Sequence, residues 1–193
     1  LSNYILFDPE LKSSVEKEAR PLFNATVALS PEETSLRLEN SPVLVAAFHE
    51  TLRLSTSSIT IRDVVSDCFI GNTRLQKGSR VLIPYRQTLM DEKVFGPDVD
   101  VFRIERFLEK PSLAKDSSFR PFGGGLNYCP GRFLAKKEVL TVVGLLFSKH
   151  DICLQESGQA FPQMATKKPG LGIAGPAANQ NVLVRVRKVQ EGS

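Results

Sequence analysis

Behind Asp8-Pro9, an N-cap followed by a proline suited to the first helical position, Leu11, Val15, Ala19 and Leu22 recur at helical spacing. The pattern predicts a helix over residues 8–20 that Pro21 interrupts. Ser30-Pro31-Glu32-Glu33 matches a capping box, so a second short helix should run to Leu38. Ser41-Pro42 repeats the start signal. From there Leu44, Phe48 and Leu52 fall at i, i+4 and i+8 as a core stripe, while Glu50 and Arg53 share a different face.

After Leu54 the texture turns β-like. Residues 58–62 and 80–84 read as short strands of one small sheet around a Gly71-Asn72 turn. Residues 86–128 carry Pro97, Pro111 and Pro121 with no sustained period, and irregular stretches of that length in a compact domain are usually functional. A strong helix should start at Pro130 and run through Leu134, Val139, Leu140, Val143, Leu146 and Phe147, with a last strand over 182–186. The fold class is therefore α+β, mainly helical, with a small β-sheet.

Composition narrows the function classes. The chain has 193 residues, the size of one ordinary domain, and a net charge of +4 with Lys and Arg spread along it, which argues against a nucleic-acid binder. The longest apolar run, residues 142–147, is far short of the roughly 20 residues that span a bilayer, and residues 1–23 are not expected to act as a signal peptide. Cys68, Cys129 and Cys153 form no C-x-x-C pair, and His49 and His150 are the only imidazoles. Any metal chemistry must lean on a single cysteine or on carboxylates. Cys68 and Cys153 read as buried structural cysteines, and the two histidines as surface or helix-end residues.

The informative segment is Phe122-Gly123-Gly124-Gly125-Leu126-Asn127-Tyr128-Cys129-Pro130-Gly131, with Phe, Gly, Cys and Gly at F-x-x-G-x-x-x-C-x-G offsets. Chance produces this in about one sequence in a thousand of such composition. With Pro130 at the first helical position, Cys129 should be the N-cap, where free amides and the helix dipole stabilise a thiolate. The glycines let the loop approach a flat macrocycle closely, and Phe122 is placed to cover the sulfur from water.

This segment resembles the haem-binding loop of the cytochrome P450 family, with Cys129 matching the axial thiolate. Further matches follow in the family's order. Glu50-Thr51-Leu52-Arg53 is similar to the E-x-x-R of the family's K helix, Phe102 to Phe107 resembles its later element containing Glu105-Arg106-Phe107, and Arg62 falls where a haem-propionate arginine is common. The resemblance implies haem b held by Phe122, Gly125, Cys129, Gly131 and Arg62, with Cys129 as the metal ligand and Glu50, Arg53 and Arg106 as a buried ion-paired network. Ser55 to Ile61 and Gly170 to Ile173 match segments that line the family's substrate pocket.

The resemblance implies a monooxygenase that inserts one oxygen atom of O₂ into a small apolar, sterol- or lipid-like substrate, using NADPH electrons from a reductase. It covers residues 1–193 as the C-terminal portion of the family's domain. The oxygen-activating helix and the N-terminal half are expected before Leu1, so the isolated chain should be inactive and expose an apolar face. Membrane association, at the endoplasmic reticulum in a eukaryote, would come only through that N-terminal region. Asn127 stands where Arg or His is commoner, similar to the sterol-hydroxylase and prostacyclin-synthase branch, which leaves a haem-thiolate isomerase or a non-catalytic truncated product as alternatives. Ile104 replaces a usual proline.

Overall fold

The computed structural model describes residues 1–23, 29–156, 158–165 and 172–189. Eight helices alternate with three two-stranded antiparallel sheets among these residues. Helix α1 (Ser2–Phe7) leads into α2 (Pro9–Phe23), and Asp8 caps the second by accepting from the Leu11 amide at 2.9 Å. Pro21 does not end α2 at residue 20 as expected: the helix runs two residues past it, to Phe23. Leu11, Val15 and Ala19 are buried, and α2 lies along the long C-terminal helix. Helix α3 (Pro31–Glu39) shows both capping-box bonds, from the Glu33 amide to Ser30 Oγ at 3.1 Å and from the Ser30 amide to Glu33 Oε2 at 2.9 Å.

Helix α4 (Pro42–Ser55) is the centre of the core. Leu44, Phe48 and Leu52 are buried as the spacing predicts, but so are Glu50 and Arg53. Strand β1 (Ile59–Asp63) pairs with β4 (Arg80–Pro84), with Arg62 opposite Val81. The Gly71-Asn72 turn belongs elsewhere: it closes a separate hairpin of β2 (Cys68–Ile70) and β3 (Thr73–Leu75). The single sheet expected from sequence is thus two hairpins, because the inserted strands are short and exposed and pair only with each other. The third sheet joins β5 (His150–Leu154) to β6 (Val184–Lys188), two residues later than expected.

Residues 86–128 are less irregular than their composition suggests. They hold α5 (Tyr85–Leu89), α6 (Glu92–Phe95) and α7 (Glu105–Glu109) with two 3₁₀ turns, each element too short to display a helical period. Helix α8 (Arg132–Lys149) closes the core through Leu140, Val143 and Phe147. Several of its outward positions are apolar as well. Phe133, Leu134, Val142 and Leu145 are exposed, so this helix presents apolar side chains to solvent as well as to the core. Cys68 and Cys153 are exposed, correcting their assignment as buried: each sits in an edge hairpin with no layer over it. No helix among the described residues is long and apolar enough to cross a membrane.

Candidate functional site

The most buried polar feature is an arginine–carboxylate network. Glu50 and Arg53, three residues apart on α4, have fully buried side chains and meet in a two-pronged pair, Arg53 Nη2 to Glu50 Oε1 at 2.7 Å and Arg53 Nε to Oε2 at 2.8 Å. Arg106 from α7 donates to Glu50 Oε1 at 3.4 Å, as does the Arg103 amide at 3.2 Å. Arg53 Nη1 reaches the carbonyls of Val99 at 2.6 Å and Leu89 at 3.2 Å. A buried ion pair is tolerated only when its spare donors and acceptors are also satisfied, and here they are. The network welds α4, α7 and the intervening 89–103 segment together.

Asp98 is the member that sequence reasoning missed. It accepts from Arg106 Nη1 at 3.1 Å and Arg103 Nη1 at 3.0 Å, and both arginines hold its carboxyl below the usual range against the opposing effect of burial. Its only signal was its place after Gly96-Pro97. Gly96 itself has φ 92° and ψ 167°, a conformation nearly reserved for glycine, and a Cβ there would lie 3.1 Å from Asp98 Oδ1 and 3.3 Å from Arg106 Nη1.

An aromatic chain leads from this network to the cysteine loop. The Arg53 guanidinium lies 5.5 Å from the Phe95 ring centre; Phe95, Phe107 and His49 all pack against Phe119 at 5.2–6.5 Å between centres. His49 is half-buried rather than fully exposed. The Phe48, Phe107 and Phe119 rings flank it, and burial, with Lys136 adding its charge, pushes its pKa down from 6.5 to about 4. His150 does end α8, as expected.

Three residues after Phe119 the loop begins. Phe122 packs its ring on the core and accepts the Cys129 amide on its carbonyl at 3.1 Å, so the loop closes on itself. Gly123 and Gly125 make this possible with φ of 81° and 68°, a left-handed backbone that a side chain at either position would strain. Cys129 is a free, half-buried thiol. It is not the helix N-cap: α8 starts at Arg132 with Gly131 as its cap, because Pro130 and Gly131 form a tight turn and the first full helical bond runs from Ala135 to the Gly131 carbonyl at 2.9 Å. The sulfur thus sits two residues ahead of the cap. A Cβ on Gly131 would lie 3.8 Å from it.

The other expected site residues are dispersed. Arg62 on β1 donates Nη1 to the Ile61 carbonyl at 3.0 Å and pairs with no carboxylate among the described residues. The two segments expected to line a substrate pocket do meet. Thr56 bridges to Ile173, the Ser57 amide donates to Gly172 at 3.0 Å, and the Ala174 amide donates to Ser55 at 2.6 Å. Gly170 and Leu171, and the Asn127 side chain, lie outside what is described. Ile104 starts α7 by accepting the Phe107 and Leu108 amides at 3.0 and 3.1 Å, so the turn holds without proline.

Among the described residues no cluster of His, Cys, Asp and Glu could enclose a metal ion. A lone thiol is the right donor set for a metal that brings its own macrocycle, since haem iron needs only axial ligation from protein. The surroundings fit as well: Gly125 has open space where a Cβ would be, and Leu126 and Phe133, flanking the cysteine, are exposed and apolar.

The cytochrome P450 family model matches residues 4–180. The chain belongs to the cytochrome P450 family. It is 32% identical over 183 residues to the cytochrome P450 monooxygenase poxD of Penicillium oxalicum, covering 88% of this chain and 37% of that protein. It is 29% identical to a cholesterol 7-alpha-monooxygenase of Cricetulus griseus over 86% of this chain and 36% of the relative. A human 7-alpha-hydroxycholest-4-en-3-one 12-alpha-hydroxylase is 27% identical over 90% of this chain and 38% of its own length. The chain therefore spans well under half of these P450 relatives. Membership of this family implies haem iron as the cofactor.

Proposed function

We propose that residues 1–193 are the C-terminal, haem-ligating portion of a cytochrome P450 monooxygenase acting on an apolar, sterol- or lipid-like substrate. The observation that carries the reading is the Cys129 loop: one free thiol, closed onto Phe122 and anchored through an aromatic chain to a fully satisfied ion network. Cys129 is the axial ligand, Phe122, Gly125 and Gly131 shape the loop against the macrocycle, and Arg62 offers its guanidinium to a propionate. Bound through a thiolate, haem supplies the activation of O₂ for transfer of one oxygen atom. Glu50, Arg53 and Arg106 hold the scaffold and do not meet substrate.

The paired 55–57 and 172–174 segments place Ile173 beside the start of β1, and both Ile173 and Ile61 leave more than half their surface exposed, suiting an apolar substrate. The sterol reading is supported by the names of two of the relatives described above. Electrons come from an NADPH-dependent reductase, and the remainder of the domain supplies the oxygen-activating helix and any membrane attachment. The test is turnover of the full-length, haem-loaded protein with reductase, NADPH and labelled O₂ on a panel of sterols. Label in one product hydroxyl is expected. Rearrangement of a peroxide without NADPH would instead make it an isomerase, and oxygen insertion by residues 1–193 alone would contradict the need for the remaining domain.

A further inference from the structure

Arg132 is the first residue of α8, yet its guanidinium turns back onto the cysteine loop. Its Cζ lies 4.3 Å from the Tyr128 ring centre and 4.1 Å from that of Phe133, and its Nη1 donates to the Cys129 carbonyl at 2.9 Å. The Arg132 amide points at the same carbonyl from 3.4 Å. Among the described residues Arg132 pairs with no carboxylate. A long, flexible cation at a helix start, where the dipole disfavours positive charge, is thus held in one place by two rings and a carbonyl. All three belong to Cys129 or to residues within four of it.

The arrangement completes the hold on Cys129. Its amide is taken by the Phe122 carbonyl, and its own carbonyl is taken by Arg132. The turn that follows supplies only the long 3.4 Å contact from the Arg132 amide, so the guanidinium at 2.9 Å is the closer donor to that carbonyl. The planar guanidinium is suited to stacking and donating at once, which an ammonium is not. A fixed positive charge against the ligand's peptide favours the more negative oxidation state of whatever the thiolate binds, and one-electron reduction of ferric haem adds one negative charge there.

We propose that Arg132, clamped by Tyr128 and Phe133, is a positioning residue that fixes the Cys129 peptide and raises the reduction potential of the bound haem. This rests on Cys129 being the ligand. The test is a mediated spectroelectrochemical titration of the haem-loaded full-length protein beside Arg132→Leu, Arg132→Lys and Cys129→Ala. Arg132→Leu keeps apolar contact with the rings and loses the charge. It should retain the thiolate-type carbon monoxide band while its ferric–ferrous equilibrium moves about tenfold toward ferric, ~59 mV for one electron. Arg132→Lys should recover part of that shift. An unshifted Arg132→Leu protein, or Arg132→Lys no better than Leu, would overturn the proposal. If the Leu variant fails to hold haem, the Lys variant decides: haem retained near the native potential supports the proposal, and haem lost refutes it. A thiolate band surviving in Cys129→Ala would instead remove the ligand assignment, which an unshifted Arg132→Leu alone does not.

Discussion

Removing the Glu50 carboxylate should unfold much of this protein's stability in one step. Glu50 is wholly buried and accepts from Arg53 Nε and Nη2, from Arg106 Nε and from the Arg103 amide. Glu50→Ala leaves a cavity and two arginines whose charges face no acid at that point. Arg53 keeps the Val99 and Leu89 carbonyls, and Arg106 keeps Asp98, so neither cation is bare. The loss should then be about 3–5 kcal/mol, as for other buried pairs broken on one side. A domain has only about 5–15 kcal/mol to lose. Equilibrium urea unfolding reads this directly as a lower midpoint at unchanged slope. Glu50→Gln keeps an oxygen acceptor and should fall between. Glu50→Ala/Arg53→Ala should cost less than the sum of the singles, because each single change strands a partner. A Glu50→Ala protein within about 1 kcal/mol of the parent would refute the reasoning, as would one that holds full haem and changes only product regiochemistry.

His49 makes stability pH-dependent in a defined window: the unfolded chain takes a proton near 6.5 and the folded one only near 4, so its contribution is complete above pH 6.5 and lost as pH falls toward 4. The parent should therefore lose about 3 kcal/mol relative to His49→Leu as pH falls across that range, read from unfolding curves of both; parallel pH dependences would contradict it. Gly96→Ala should cost about 1–3 kcal/mol, since the backbone there is nearly glycine-only and the new methyl presses on the Asp98–Arg106 bridge; thermal unfolding unchanged from the parent would count against that packing.

Local signals carried the long helices. Caps at Asp8 and Ser30 and the stripe through Leu44, Phe48 and Leu52 are legible because each is decided within a turn or two of chain. Pro21 was misleading because the helix continues only two residues beyond it, so the break it imposes is confined to the single backbone bond its nitrogen cannot donate. The short helices α5 to α7 and the inserted β2–β3 hairpin escaped because four- or five-residue elements show no period, and their form is set by packing onto α4 and by Arg53 drawing in the Leu89 and Val99 carbonyls. Family order located Glu50, Arg53 and Arg106. It could not supply Asp98 or the Arg132 clamp, since both are defined by contacts across turns whose geometry no spacing rule encodes. The half-burial of His49 was missed for the same reason: the rings that flank it come from residues 107 and 119.

The account turns on one sulfur. Cys68 and Cys153 are exposed on edge hairpins, while Cys129 alone sits half-buried behind a closed glycine loop. Replacing each cysteine by alanine in the haem-loaded full-length protein and recording the reduced, carbon monoxide-bound absorbance tests this most directly. Cys129→Ala should abolish the thiolate-type band, with Cys68→Ala and Cys153→Ala unchanged. A thiolate band that survives in Cys129→Ala, or vanishes with either other cysteine, would contradict the assignment.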